Sequence, residues 1–239
     1  TSLYRKALEI QLKLTTSDIL EFLADTESWS KSNEILDIGC GPGDLVKLLS
    51  SKFSHKKYTG IDLSEDFIGI AKKGSTANNI EFMQQDIYNY SSNITYDFIH
   101  ARAVLQHLPS IPKFLEKLDD LTHSGSSVLF FDAGDADNVK TEFSPDIPSY
   151  NDFMKKITLA QKEGGGNRDC LRELEELIPS SSFKTVNSQD ILTSTQTNLT
   201  KEEATSYIYL VIEVLDRIYK TDFNKDNFIN ELKTWYESD

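Results

Sequence analysis

The chain has 239 residues, and its 25 lysines and arginines against 38 aspartates and glutamates give a formal net charge of −13 at pH 7. A field of that sign repels phosphate backbones, and the basic residues are scattered, so the sequence disfavours a nucleic-acid partner. The two cysteines, Cys40 and Cys170, make neither a disulfide framework nor a metal quartet. With no long apolar run and no leader-like start, we expect no membrane association and a cytoplasmic location.

The first 30 residues are predicted to form two helices. Apolar residues recur at helical spacing in both halves, and Thr15-x-x-Asp18 is a candidate cap between the two helices. Tyr4 lies in the first of these helices and is a candidate contact for a ligand. The alternative is a rim position on a helix that packs on the sheet.

A glycine-rich turn follows the first predicted strand. Ile35, Leu36 and Ile38 form a short apolar run, and an apolar helical pattern begins near residue 44. Strand, turn and helix in this order form the first half of a nucleotide-binding βα unit. Glycine lets the backbone approach a ligand closely, and the N–H groups at a helix start can bind polar ligand atoms. The turn glycines alternate along the chain: Gly39, Gly41 and Gly43.

The spacing of the turn excludes the commonest nucleotide fingerprints. Position 44 is Asp where a dinucleotide fingerprint needs a third glycine, and no Gly-Lys-Ser/Thr follows as in a phosphate-binding loop. Asp37 and Asp44 would repel a diphosphate but suit the cationic S-adenosylmethionine. The segment Leu36-Asp-Ile-Gly-Cys-Gly-Pro-Gly43 resembles the first motif of the class I S-adenosylmethionine-dependent methyltransferases. The resemblance extends strongly over 34–132 and weakly over 169–192.

The resemblance implies an α/β fold: a doubly wound, mostly parallel sheet of seven, possibly six, strands. We expect a single domain over 1–239, with a helical cap (1–30), a cofactor-binding core (31–133), a lid insertion (134–167), and the rest of the sheet with C-terminal helices (168–239). Strands are predicted near 34–38, 58–62, 80–83, 96–101, 128–132 and 183–192, with 193–199 as the remaining candidate. A turn is predicted at Ser124-Gly-Ser. Later helices are predicted at 65–73, from 112, and at 151–162, 169–178, 201–219 and 225–237.

The acid that ends the second predicted strand, Asp62, follows the glycine turn by about 20 residues, where a carboxylate can bind both ribose hydroxyls. Its alternative role is a helix cap, which Ser64 can fill instead. By resemblance, Asp86 would bind the adenine amino group and Ile87 the ring; a surface-loop acid is the alternative for Asp86. Cys40 is interpreted as a packing residue rather than a nucleophile. The predicted cofactor-binding residues are Asp37, Gly39, Cys40, Gly41, Gly43, Asp62, Leu63, Gln85, Asp86, Ile87, Ala101 and Arg102.

The segment Val104-Leu-Gln-His-Leu108 resembles one found in small-molecule methyltransferases. Some amine-methylating relatives carry Glu-His there, whereas this chain has Gln106 and His107. His107 is the candidate catalytic base because its pKa lies nearest neutral pH, and a histidine bonded to backbone at a helix start is the alternative. Asp132, at the carboxyl end of the fifth predicted strand, is the second catalytic candidate.

Candidate substrate contacts lie in the cap and the lid insertion: Tyr4, Tyr150 and Arg168, with Phe143 and Phe153 beside them. The acids at 132, 135 and 137 lack the glycine and terminal glutamate of a calcium loop, so no metal site is predicted.

We therefore expect methyl transfer from S-adenosylmethionine to an O or N atom of a small-molecule acceptor, leaving S-adenosylhomocysteine. The acidic composition weakly favours a cationic or neutral amine-bearing acceptor. A non-catalytic protein that binds the same cofactor and a protein or peptide methyltransferase are the alternatives. A monomer or a homodimer is expected.

Overall fold

A computed structural model describes residues 2–132, 141–189 and 200–238. Within these residues, five parallel strands form one sheet in the order β3-β2-β1-β4-β5. The strand order reverses between β1 and β4, and ligands of open α/β sheets bind at the carboxyl ends beside such a point. The strands are β1 (Glu34–Ile38), β2 (Lys57–Asp62), β3 (Ile80–Gln84), β4 (Tyr96–Arg102) and β5 (Thr122–Phe131).

Helices occupy both faces of the sheet and one end of it. The described helices are α1 (Ser2–Ala24), α2 (Glu27–Lys31), α3 (Asp44–Lys52), α4 (Glu65–Lys73), α5 (Ile111–Leu121), α6 (Pro148–Glu163), α7 (Cys170–Leu177), α8 (Lys201–Tyr219) and α9 (Lys225–Glu237). Short 3-10 turns lie at Ile87–Asn89, Leu105–His107 and Ile178–Ser180.

Alternation along the strands divides the core between the two faces. Leu36 and Ile38 of β1 belong to a cluster with α5 and α7, whereas Ile35 belongs to a cluster with α1 to α4. Since successive strand residues point to opposite faces, one short run can supply both cores. This is the doubly wound arrangement, and it confirms the predicted α/β fold.

The helices α6, α8 and α9 enclose a third apolar cluster, which includes Phe153, Ile212 and Phe228, each almost completely buried. The N-terminal helix α1 packs along α8, and Lys13 of α1 pairs with Glu203 of α8. The predicted cap and the C-terminal helices therefore form one helical layer beside the sheet. None of the described helices combines the length and apolarity needed to cross a bilayer.

Three predicted features differ from the structure. The predicted break at Thr15 is absent because the Thr15 hydroxyl donates to the Gln11 carbonyl at 2.9 Å, so α1 is continuous to Ala24. The turn predicted at 124–126 lies inside β5, where Gly125 adopts a φ of 100° beside a register irregularity. Residues 183–189 form no strand, since they bury no alternating face and Val186 is 85% exposed. The rest of that strand, 190–192, and the candidate at 193–199 lie outside the described residues.

Candidate active site

The glycine turn between β1 and α3 adopts a left-handed backbone at all three glycines, with φ of 67°, 55° and 77° at Gly39, Gly41 and Gly43. A Cβ on Gly39 would lie 2.4 Å from Val104 Cγ2, and one on Gly43 would lie 2.5 Å from Phe82 Cζ. Other residues disfavour this backbone and would collide with the neighbours. The chain therefore needs glycine here for conformation and for close packing.

Cys40 lies inside this turn, and its N–H donates to the Ile61 carbonyl at 3.0 Å. Burial raises the pKa of its thiol well above the usual value, and Asp37 and Asp62 raise it further. The thiol is therefore protonated at neutral pH. This agrees with a packing role, and the Cys40 amide is used within the fold.

Asp62 ends β2 and connects it to the glycine turn. Its two oxygens accept the N–H groups of Gly41 and Ser64, both at 2.8 Å. Burial raises the pKa of Asp62, and Asp37 adds to this, while the two N–H donors oppose it. The cap of α4 is Ser64, whose hydroxyl accepts the Phe67 N–H, so the helix-cap alternative for Asp62 is not what the structure shows.

The side chains beyond β2 and β3 differ in exposure. Leu63 is 69% exposed at the ligand-binding edge, whereas Ile87 is buried in the core. Gln85 donates its N–H to the Asp62 carbonyl at 3.0 Å. Asp86 accepts the Tyr88 N–H at 3.0 Å and thereby caps a 3-10 turn. An apolar surface thus lies next to Asp62 at this edge.

The carboxyl ends of β1 and β4 carry a buried acid and a partly buried arginine. Asp37 Oδ1 lies 3.0 Å from His100 Nδ1, which gives His100 a structural contact. Arg102 donates to Gln11 Oε1 of α1 at 3.2 Å, and Ala101 before it is completely buried. Burial lowers the pKa of Arg102, and Asp37 is the strongest influence in the opposite direction.

Tyr4 of α1 reaches the same region. Its ring packs on Phe67 at a centroid distance of 5.5 Å. Burial raises its pKa, and Asp62 and then Tyr219 of α8 raise it further. The structure therefore brings Tyr4 between the end of β2 and the helical layer.

The turn Leu105–His107 is held at the carboxyl end of β5 by Asp132. The Asp132 carboxylate accepts the Leu105 N–H at 2.8 Å and the Gln106 side-chain amide at 2.9 Å. Ala103, just before this turn, has a φ of 54°, a strained value for a residue with a Cβ. Asp132 thus fixes the turn from which His107 projects.

His107 is exposed to solvent, and its side chain makes no hydrogen bond within the described residues. Its pKa is nevertheless lowered, first by the surrounding protein and then by Arg168. The predicted alternative, a histidine bonded to backbone, does not occur here.

Sequence reasoning missed Gln161, which joins this turn to Arg168. The Gln161 amide nitrogen donates to the Gln106 carbonyl at 3.1 Å, and its oxygen accepts Arg168 Nε at 2.9 Å. Asn167 N–H also donates to the Gln106 carbonyl, at 3.0 Å. The available signal was a polar residue in the buried stripe of α6, at four-residue spacing after Phe153 and Ile157.

Two tyrosines of α8 also escaped prediction. Burial and then Tyr150 raise the pKa of Tyr207 to about 12, although Arg102 and Arg168 both oppose the change. Burial also raises the pKa of Tyr219, and Arg168 lowers it. Tyr207 therefore lies within the electrostatic reach of both arginines.

The residues predicted to lie in the lid insertion differ in their contacts and burial. The Tyr150 hydroxyl lies 3.3 Å from Thr141 Oγ1, and its ring packs edge-on against Phe143 at 5.1 Å. Phe153 is completely buried against Phe223, so its prediction as a substrate contact was wrong. Among the described residues no group of three His, Cys, Asp or Glu side chains could hold a metal ion. The acids at 135 and 137 lie outside them.

Comparison with known proteins agrees with this fold and site. Residues 8–177, more than half of the chain, match a family model described as a methyltransferase domain. The chain belongs to this family. Together with the doubly wound sheet and the related proteins described next, the match identifies it as a class I S-adenosylmethionine-dependent methyltransferase.

One relative is a malonyl-[acyl-carrier protein] O-methyltransferase of Acetivibrio thermocellus, 26% identical over 231 residues that cover 97% of this chain and 77% of the relative. The protein of the same name from Priestia megaterium is 34% identical over 105 residues, or 44% of this chain and 38% of that protein. The fold also matches the plantazolicin methyltransferase BpumL, solved with a triazolic desmethylPZN analogue and S-adenosylhomocysteine. That match has a TM-score of 0.51 at 21% identity and covers 95% of this chain and 78% of BpumL.

Proposed function

We propose that this methyltransferase transfers the methyl group to an O or N atom of a small-molecule acceptor by in-line displacement. One observation carries the proposal. The crevice lies at the carboxyl ends of the strands, between the sheet and the helical layer, and polar groups suited to different ligands lie on its two sides. The glycine turn and Asp62 lie at the ends of β1 and β2. His107 and Arg168 lie beyond β4 and β5, below α8. This division leaves one side for the cofactor and the other for an acceptor.

On the cofactor side, Asp62 would bind the ribose hydroxyls. Its oxygens already accept one backbone N–H each, but a carboxylate oxygen can accept a second hydrogen bond. Asp86 would bind the adenine amino group, with Leu63, Gln85 and Ile87 beside the ring. Arg102 has no carboxylate partner among the described residues, and the α-carboxylate of the cofactor would supply one. Four further residues would line the methionine end: Asp37, Gly39, Gly41 and Ala101.

The bound cofactor supplies a methyl group already activated by the sulfonium, so the chain has to align the acceptor and exclude water. His107 would take the proton from a hydroxyl acceptor while the new O–C bond forms and the C–S bond breaks. For an ammonium acceptor it would take the proton first, and the freed nitrogen lone pair would then form the N–C bond as the C–S bond breaks. Asp132 would act through its hydrogen bonds to the turn, which makes it a positioning residue. Tyr4 and Tyr150 would contact the acceptor from the helical layer.

The names of the relatives support an acceptor of this class. The Acetivibrio thermocellus protein is named for O-methylation of a malonyl group on a carrier protein, and BpumL for plantazolicin. A small or carrier-bound acceptor would suit the described crevice, where Tyr4, Tyr207 and Tyr219 of the helical layer approach the sheet. A non-catalytic binding protein or a protein methyltransferase would be an outcome of the test below.

The test is calorimetric titration of the wild type and of Asp62→Ala with S-adenosylmethionine and S-adenosylhomocysteine. We expect Asp62→Ala to weaken binding at least about tenfold, about 1.4 kcal/mol, because the ribose contact and the turn both depend on this carboxylate. Asp66→Ala, an exposed acid in the first turn of α4, is the matched control and should bind normally. Candidate acceptors are then screened by mass spectrometry for the gain of one methyl group. Folded wild type that binds neither ligand would contradict the proposal.

A further inference from the structure

We propose that Arg168, oriented by Gln161, binds a carboxylate of the acceptor. The inference rests on the proposed function and names the chemical class of the substrate. It differs from the expectation drawn from composition, which favoured a cationic or neutral amine.

The first step is the pairing of the arginines. The chain has five, and three of them pair with a carboxylate: Arg5 with Glu9 at 2.8 Å, Arg172 with Asp169 at 3.0 Å, and Arg217 with Glu213 at 3.6 Å. The two at the crevice behave differently. Arg102 and Arg168 each donate to the side-chain oxygen of a glutamine, Gln11 and Gln161. Within the described residues neither has an acid within ion-pair distance.

A glutamine oxygen orients a guanidinium but leaves its charge uncompensated. Removing a cation from water without a counter-charge is unfavourable. The chain contains 13 more acidic than basic residues, so acids were available to neutralise both arginines. Two partly buried guanidinium groups held by neutral amides therefore favour two anionic groups supplied by ligands.

The orientation of Arg168 is well defined. Gln161 is 4% exposed, and both ends of its amide are used, by the Gln106 carbonyl and by Arg168 Nε. Behind it, a Cβ on Gly166 would lie 2.7 Å from the Gln106 carbonyl, so the loop lies directly against the turn. Only one of the five guanidinium N–H groups is used in these contacts, which leaves the Nη donors for a ligand.

The two arginines share one electrostatic neighbour, Tyr207, but differ in the others. Arg102 also interacts with Asp37, Asp44 and Tyr4, next to the glycine turn, where the carboxylate of the cofactor is expected. Arg168 is joined through Gln161 to the Gln106 carbonyl, next to His107. It also lowers the pKa of His107 and Tyr219. The anion for Arg168 is therefore expected to belong to the acceptor.

A carboxylate fits this end of the crevice. A guanidinium and a carboxylate match in charge and in planar, two-point geometry. Arg168 lowers the pKa of His107, so an anion bound to this guanidinium would be felt at the histidine.

The test uses malonate as the carboxylate probe and malonamide as its uncharged counterpart, at constant ionic strength. The readout is the NMR titration of the four histidines, in the free enzyme and in the enzyme loaded with S-adenosylhomocysteine, with His107 assigned from His107→Asn. An anion bound at Arg168 cancels the charge that depresses the pKa of His107. We expect malonate to raise the midpoint of the His107 titration by about 0.5 pH units or more, and malonamide to leave it unchanged.

Variants of Arg168 separate binding from structure. In Arg168→Gln the His107 midpoint should already be raised, and malonate should move it no further. Arg168→Lys keeps the positive charge but loses the planar, two-point geometry of the guanidinium, so malonate should raise its His107 midpoint less than in the wild type. Arg172→Gln, an exposed neighbour, should respond as the wild type does.

The outcomes are distinct. A His107 midpoint that ignores malonate in the wild type, or that responds equally in Arg168→Gln, would overturn the inference. A response to inorganic phosphate but not to malonate would replace the carboxylate by a phosphate and also contradict it. The free enzyme gives this readout without turnover, so the inference about Arg168 is tested without the cofactor. Failure to bind S-adenosylhomocysteine would instead contradict the proposed function.

Discussion

Partial desolvation by the surrounding protein shifts the pKa values of two side chains at the crevice in opposite directions, and in both cases it disfavours the charged form. The pKa of Asp62 is raised and that of His107 is lowered, with Arg168 adding to the latter. His107 therefore stays neutral at pH 7 and acquires its proton only as the pH falls below its ordinary value near 6.5. A neutral imidazole is the form that can accept a proton.

We expect His107→Asn to lower kcat about 100-fold for an acceptor that releases a proton on methylation. The acidic limb of the kcat/KM profile should disappear with it, while the affinity for S-adenosylhomocysteine stays unchanged. Steady-state rates between pH 5 and 9 measure both effects. His55→Asn, at an exposed histidine just before the amino end of β2 and so at the opposite edge of the sheet from the crevice, is the control. An acidic limb that persists in His107→Asn would rule out His107 as the base.

At the scale of elements, the same residue type has different roles in α4 and in the glycine turn. Gly43 has a φ of 77°, and an added Cβ would lie 2.5 Å from Phe82 Cζ and 3.1 Å from Ala71 Cβ. Gly69 lies within α4, and an added Cβ there would meet nothing within 4 Å. Only the first position therefore requires glycine.

Replacing each of these glycines by alanine should give opposite results. Gly43→Ala should reduce the free energy of unfolding by at least about 1 kcal/mol, because of the left-handed backbone and the collision with Phe82. Gly69→Ala should increase it by up to about 1 kcal/mol, since alanine is the better helix former. Urea unfolding curves measure both changes. Equal effects of the two substitutions would refute this account of the turn.

At the scale of the whole molecule, the helical layer beside the sheet has an apolar core of its own. The cluster of α6, α8 and α9 is separate from the two clusters against the sheet. Tyr207 and Tyr219 belong to α8, so this side of the crevice, where an acceptor is proposed to bind, depends on how the layer packs. Adjacent residues of α9 probe that packing, because Phe228 is completely buried and Ile229 is 38% exposed.

We expect Phe228→Ala to lower the free energy of unfolding by about 3–5 kcal/mol through the cavity it creates. Ile229→Ala should change it by about 0.5 kcal/mol or less, as for other surface substitutions. Chemical denaturation followed by tryptophan fluorescence reports on the layer, since Trp235 belongs to the same cluster. A small effect of Phe228→Ala would show that the layer contributes little to stability.

The sequence predicted local units well. The strands β1 to β4, the helix α4, and the C-terminal helices α8 and α9 agree with their predicted ranges within one or two residues, and α3 begins where its pattern predicted. Each combines a hydrophobic period with turn or capping residues, which a short window of sequence displays. The prediction failed at Thr15, where a hydroxyl bonds within the helix instead of capping one, and at 183–189, where no partner face exists to bury a strand.

The glycine turn, the acid that ends β2 and the family resemblance followed from residues 34–62 alone, because neighbouring βα units place them at one edge of the sheet. Only the tertiary structure joined Asp132 to the turn of Leu105, and Gln161 to Arg168. It also decided that two arginines would have amides and not acids as partners. Such contacts connect elements through the packing of the helical layer, and no local period in the sequence encodes which side chains meet there.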